Sequence, residues 1–87
     1  MNMIPTPTIS EIMREEFMKP LDIDIFTLAE NTGLPVHELR EILSDQRDID
    51  LTVSQKLGAF FGISDTFFLN VQREIKARNY IPELQYA

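Results

Sequence analysis

The chain has no cysteine, one histidine and three glycines in 87 residues. Without cysteine, disulfides and thiolate metal sites are excluded. No apolar run approaches the roughly 20 residues that a membrane-spanning helix needs. The longest apolar-plus-glycine stretch is LGAFFGI, Leu57–Ile63. The opening MNMIPTPT has no basic segment followed by an apolar one, so it does not read as a signal peptide and a cytoplasmic location is expected. Internal repeats and low-complexity tracts are missing. Apolar positions do not alternate with a two-residue period, so no strand is predicted.

Positive charge is scarce as well. Eight Lys and Arg face fourteen Asp and Glu, a net charge of −6. Almost all of the imbalance sits between Asp22 and Asp50, where eight acids accompany two bases, Arg40 and Arg47. Nucleic-acid binders usually present a basic face, because neutralising phosphates supplies most of their sequence-independent affinity. The middle of this chain does the reverse. Catalytic and metal chemistry have little footing. Glu15 and Glu16 are neighbours, and adjacent helical positions do not face each other. Asp45, Asp48 and Asp50 lack the central glycine and terminal glutamate of an EF-hand loop. His37 has no partner Cys or His. Neither an enzyme nor a metal or other cofactor is expected.

What is present is helical periodicity. Apolar residues make up 44% of the chain, enough for a packed core. A domain this small often gains stability by self-association. The spacing predicts five short helices. Helix 1 covers Ile9 to Lys19, opened by a Thr8-x-x-Glu11 capping box and stopped by Pro20. Its apolar stripe is Ile9, Ile12, Met13 and Phe17. Helix 2 covers Ile25 to Asn31, with Asp24 as cap, Leu28 and Ala29 inward, and Gly33 in the left-handed position after its end. Helix 3 starts near Pro35 and turns Val36, Leu39, Ile42 and Leu43 inward. Helix 4 covers Leu51 to Phe61 between Asp50 and Gly62. Helix 5 begins after Ser64 and runs to about Asn79, with Phe67, Phe68, Val71 and Ile75 on its apolar face. The expectation is one all-α domain over 1–87, with a core over 9–79 and a loose tail over 80–87. Two short helices joined by a glycine-containing turn, over 25–43, form a helix-turn-helix pattern.

Three strings carry a resemblance: EIMREEFMKPLDI, LAENTGLPVHELREIL and, above all, FFGISDTFFLNVQ. They resemble the HigA-type, or VapI-type, antitoxins, a branch of the lambda-repressor-like (XRE) helix-turn-helix regulators. Family patterns run G-E-I-L-R-E-E-F-L-x-P-L-G at the start and F-x-T-[ST]-x-E-F-W-L-N-L-Q at the end. The match spans about Ile9 to Gln72 in register. The resemblance implies a compact five-helix lambda-repressor-like DNA-binding domain. It implies a homodimer that represses its own operon by placing two copies of helix 3 in successive major grooves. It also implies a partner, a small basic RNA-cutting toxin of the RelE/HigB type. The positions that would meet DNA are Thr27, Val36, His37, Glu38, Arg40, Gln46 and Arg47, with Arg40 the leading base reader. The plainer reading of Arg40 is an intrahelical ion pair or simple solvent exposure, and of His37 an ordinary solvated side chain. Phe67, Phe68, Leu69 and Val71 would form the dimer seam; the plainer reading makes them intradomain core.

The chain departs from the family where phosphates would lie. The start of helix 2 offers Asp24 and Ile25 in place of Ser and Gln. Glu30 stands where a base is usual. The loop after helix 3, often N-G-R-R-R-I-T, reads Ser44-Asp45-Gln46-Arg47-Asp48-Ile49-Asp50. An alternative therefore stands beside the repressor: an acidic module of the same fold that binds proteins and has lost most DNA affinity.

Overall fold

A computed structural model describes the backbone of residues 7–85 and the side chains of residues 7–78. Among the described residues the secondary structure is wholly helical. Helix α1 (residues 9–21) opens with Ile9–Ile12, widens into a π segment at Met13–Met18 and closes with Lys19–Leu21. Then follow α2 (Ile25–Thr32), α3 (Val36–Leu43), α4 (Leu51–Phe61) and α5 (Phe67–Gln85).

The expected caps are in place. The Thr8 hydroxyl accepts from the Glu11 N–H at 3.3 Å, and the Glu11 carboxylate accepts from the Thr8 N–H at 2.9 Å. Asp24 accepts from the Thr27 N–H, and Asp50 from the Val53 N–H, each at 2.9 Å. Each satisfies an amide that its helix cannot pair internally.

Helix α1 does not stop at Pro20 as expected. The Lys19 N–H reaches back five residues to the Arg14 carbonyl, a π-type closure. Proline then follows at a point where it has no N–H to place, and the helix continues to Leu21. The wider turn also brings Met13 and Met18, five residues apart, onto the same buried face. Phe17, expected inward, is only half-buried.

Two helices end on aspartate in the left-handed region. Asp22 has φ 56° and Asp45 φ 62°. After α1, the Asp22 N–H bonds Lys19 O and the Ile23 N–H bonds Met18 O; after α3, the Asp45 N–H bonds Ile42 O and the Gln46 N–H bonds Glu41 O. Both are Schellman closures, which glycine fills at lowest steric cost. The two aspartates are not equivalent. The Asp45 carboxylate accepts from the buried Ser10 hydroxyl at 2.8 Å, tying α1 to the end of α3. Asp22 is exposed. Asp22→Gly is therefore expected to stabilise the fold by about 0.5–1 kcal/mol. Asp45→Gly should not, because it strands Ser10. Urea denaturation of the two variants tests both halves.

The core draws one or more residues from every helix. Met13, Leu28, Leu39, Ile42, Leu57 and Phe68 are completely buried. Phe68 lies within a ring cluster, its centroid 5.0 Å from Phe17, 5.2 Å from Phe67 and 6.1 Å from Phe61. Helix α4 packs its backbone against the loop before α5. A Cβ at Gly58 would stand 2.5 Å from the Ser64 carbonyl oxygen, and the buried Ser54 hydroxyl donates to Asp65 O at 2.6 Å. Gln72 spans α5 and the loop after α3: its amide accepts from the Ile49 N–H at 2.7 Å and donates to Ile49 O at 2.9 Å. This clamp gives the Gln of the FLNVQ string its role.

At the far end, α5 continues through Pro82 to Gln85. The stop expected near Asn79 does not occur, and the backbone is helical to Gln85. One proline costs one backbone bond, while Glu83, Leu84 and Gln85 favour the helix. Residues 86 and 87 lie outside the described residues.

Candidate nucleic-acid interface

Helices α2 and α3 meet across Gly33, Leu34 and Pro35. Gly33 takes φ 76° and caps α2 through the Ala29 carbonyl. Thr32 turns its hydroxyl to Leu28 O at 2.7 Å, and the Leu34 N–H bonds that hydroxyl at 3.3 Å. Leu34 is buried. Pro35, extended at φ −65° and ψ 141°, occupies the cap position rather than the first turn of α3. The joint is thus locked by side chains on both sides, and α3 is held with Leu39, Ile42 and Leu43 inward.

The outward side of α3 carries the expected contact residues except Val36, which packs against the core. His37 and Arg40 are exposed; Val36 and Glu38 are half-buried. Thr27, in the first turn of α2, is half-buried, and Gln46, in the loop after α3, is exposed. Arg47 is not free. Its Nε donates to Glu41 Oε1 at 2.7 Å, and its Nη1 lies 3.7 Å from Glu38 Oε2. The hydrogen bond to Glu41 raises its pKa above the ordinary arginine value. The one base of the loop is thereby turned back onto α3, held by two glutamates. Lys76 of α5 similarly holds Asp48. By contrast, Arg40 has no ion-pair partner among the described residues, and its side chain faces solvent.

The three loop aspartates point to three different tasks. Asp45 takes the Ser10 hydroxyl, Asp48 takes Lys76 and Asp50 caps α4. No group of three or more metal-ligating side chains occurs among the described residues. No helix among them is long and apolar enough to cross a membrane.

The proposed seam residues separate. Phe68 is completely buried within one subunit, so its assignment to a dimer surface is corrected: it is core. Its spacing on α5 turns it onto the α1 and α4 rings. Phe67, Leu69 and Val71 are half-buried at the rim of the same cluster and keep some surface to offer. Sequence reasoning passed over Phe26, which opens α2 beside the expected contact face yet is 61% exposed. Glu41 reads from the sequence as an acid on the surface facing phosphates, but its hold on Arg47, six positions on, does not. An apolar residue at a helix start gives no pattern that marks it as exposed.

At the α2 N-terminus, the Thr27 N–H donated to Asp24 holds that carboxyl below its ordinary value of 3.8. A depressed folded-state pKa contributes stability above the unfolded value, and this is lost as pH falls through the folded one. The stability of the wild type relative to Asp24→Ser, a cap that does not titrate, should therefore be constant near neutrality and decline below pH 3.8. Urea midpoints at neutral and acid pH measure it.

No protein-family profile matches the chain. Virulence-associated protein I of Dichelobacter nodosus is 31% identical over 71 residues, which cover 82% of this chain and 66% of that relative, just under two thirds of its length. Among solved structures, the antitoxin HigA of Pseudomonas aeruginosa with the higBA promoter superposes with TM-score 0.79 at 28% identity, covering 92% of this chain and 86% of that one. Another Pseudomonas aeruginosa structure, of PA4674 in complex with its 28-base-pair operator DNA, superposes with TM-score 0.81 at 28% identity, covering 95% and 91%.

Proposed function

We propose that this chain, which belongs to the HigA/VapI-type branch of the lambda-repressor-like helix-turn-helix proteins, is the antitoxin and autorepressor of a toxin–antitoxin module. It binds operator DNA as a cytoplasmic homodimer and sequesters a small basic RNA-cutting toxin of the RelE/HigB type. Its work is recognition, not catalysis. The observation that carries this reading is the locked α2–turn–α3 joint, which presents His37 and Arg40 on an exposed helix face. The likeness to structures solved with promoter or operator DNA supports it. Phe67, Leu69 and Val71, at the rim of the ring cluster, are the proposed seam. The acidic surface of residues 22–50 suits a cationic toxin, since complementary charge speeds encounter.

A two-fold dimer reads half-sites about one helical turn apart. Nuclease footprinting on the DNA upstream of its own gene is the test. Two protected half-sites at that spacing are expected. Uniform or absent protection would overturn the repressor reading. It would favour a second one, an acidic helix-turn-helix module kept for protein partners. The capture of Arg47 by Glu38 and Glu41 is what motivates that alternative.

A further inference from the structure

A cleft of about 430 Å³ lies between the end of α1, the start of α2 and the end of α3. Arg14, Lys19 and Arg40 stand around it; Met18, Ile23, Ile25 and Leu43 form its floor; and Ser44 completes it. No Asp or Glu lines it, in a chain with fourteen acids and eight bases. Three of those eight bases converge on this one place.

The bases are held by different means. Arg14 donates one N–H to the Leu43 carbonyl at the end of α3. A guanidinium carries five donors, so that bond anchors the group without exhausting it. Lys19 pairs with Glu15 at 2.9 Å, but both side chains are mostly exposed, and such pairs contribute little. Arg40 has no ion-pair partner among the described residues.

We infer that this cleft seats the sugar–phosphate backbone of the bound DNA, with Arg14, Lys19 and Arg40 supplying the positive charge that the loop after α3 withholds. The inference rests on the DNA-binding reading above and locates its phosphate contacts. Two observations select the DNA backbone as occupant. The cleft is walled by the helix-turn-helix itself, through Ile25 of α2 and Arg40, Leu43 and Ser44 of α3. A duplex strand along α3 therefore borders it. The mixed lining also matches that strand, because an anionic phosphate alternates with an apolar deoxyribose edge. Arg40 then acts on the backbone and not on a base, which alters the role the sequence suggested. Affinity comes from helix α1, where the family pattern puts it in the loop.

The test measures affinity for the operator and for a scrambled duplex over a salt series, in wild type, Lys19→Gln/Arg40→Gln and Arg47→Gln. Both substitutions in the double variant are at exposed positions and keep helix-favouring side chains; circular dichroism verifies folding. A phosphate seat predicts that the double variant weakens both duplexes alike. The salt slope should fall by about 0.9 for each phosphate contact removed. Arg47→Gln should leave the slope unchanged. If wild type binds the operator and the double variant keeps the wild-type slope, the cleft is not the seat, though the DNA reading stands. A loss confined to the operator would make Arg40 a base reader and overturn the inference. Wild type that binds neither duplex overturns both.

Discussion

Phe68→Ala is expected to lower the unfolding free energy by about 3–5 kcal/mol. The side chain is completely buried and touches rings from α1, α4 and its own helix. Truncation removes apolar burial, leaves a cavity, and cancels three tilted or edge-on ring contacts, each worth about 0.5–1.5 kcal/mol beyond area. Domains of this size carry about 5–15 kcal/mol in total. The variant should therefore melt at least about 12 °C lower. The same loss should appear at every protein concentration, because the defect lies inside one subunit. Phe67→Ala, at the half-buried rim, should cost much less. A Phe68→Ala protein with an unchanged urea midpoint, or a defect that vanishes at high concentration, would return Phe68 to the dimer surface.

The second large effect is a gain. Glu41→Gln is expected to tighten operator binding about tenfold at moderate salt. The carboxylate does two things against DNA: it repels phosphate, and it holds the Arg47 guanidinium at 2.7 Å. A unit charge about 8 Å from a phosphate in a water-like dielectric contributes roughly 0.5 kcal/mol. A dimer carries two such carboxylates, so repulsion alone accounts for about 1 kcal/mol. Arg47, loosened but still paired with Glu38, supplies the rest where it turns to a phosphate, and the salt slope should steepen by up to about 0.9 per contact. Glutamine keeps size and helix propensity, so stability should barely move. If titration gives unchanged affinity and slope, the loop after α3 does not approach DNA.

How much of this was readable from the residues alone differs from element to element. The capping box at Thr8 and Glu11, the caps at Asp24 and Asp50, and the glycine turns at Gly33 and Gly62 lay where local patterns put them, because caps and left-handed turns are short-range chemistry. Helix α4 matched its expected bounds, Leu51–Phe61. The errors came where tertiary contacts decide. The π segment of α1 has no sequence pattern in a 3.6-residue period. Pro20 and Pro82 read as stops, yet both helices continue past them. Asp22 and Asp45 fill positions where glycine is usual, and only the backbone geometry reveals it. The interface was legible as a stretch of α3 but not as a charge arrangement. Arg47 looked like the surviving phosphate contact, while its pairing with Glu38 and Glu41 depends on how the loop folds back. Arg14 and Lys19 sit on α1, far along the chain from the recognition helix, and nothing local joins them to Arg40. Phe68 carried the same apolar signal as Phe67, and only packing separates core from rim.

On the proposed function, an acidic helix-turn-helix still reads DNA, through few phosphate contacts placed away from the usual loop. Fluorescence anisotropy of the pure protein against its own upstream DNA and a scrambled duplex, over a salt series, tests it most directly. Specific binding to the upstream DNA with a shallow salt slope is expected. A folded, dimeric protein that binds neither duplex even at low salt would contradict it.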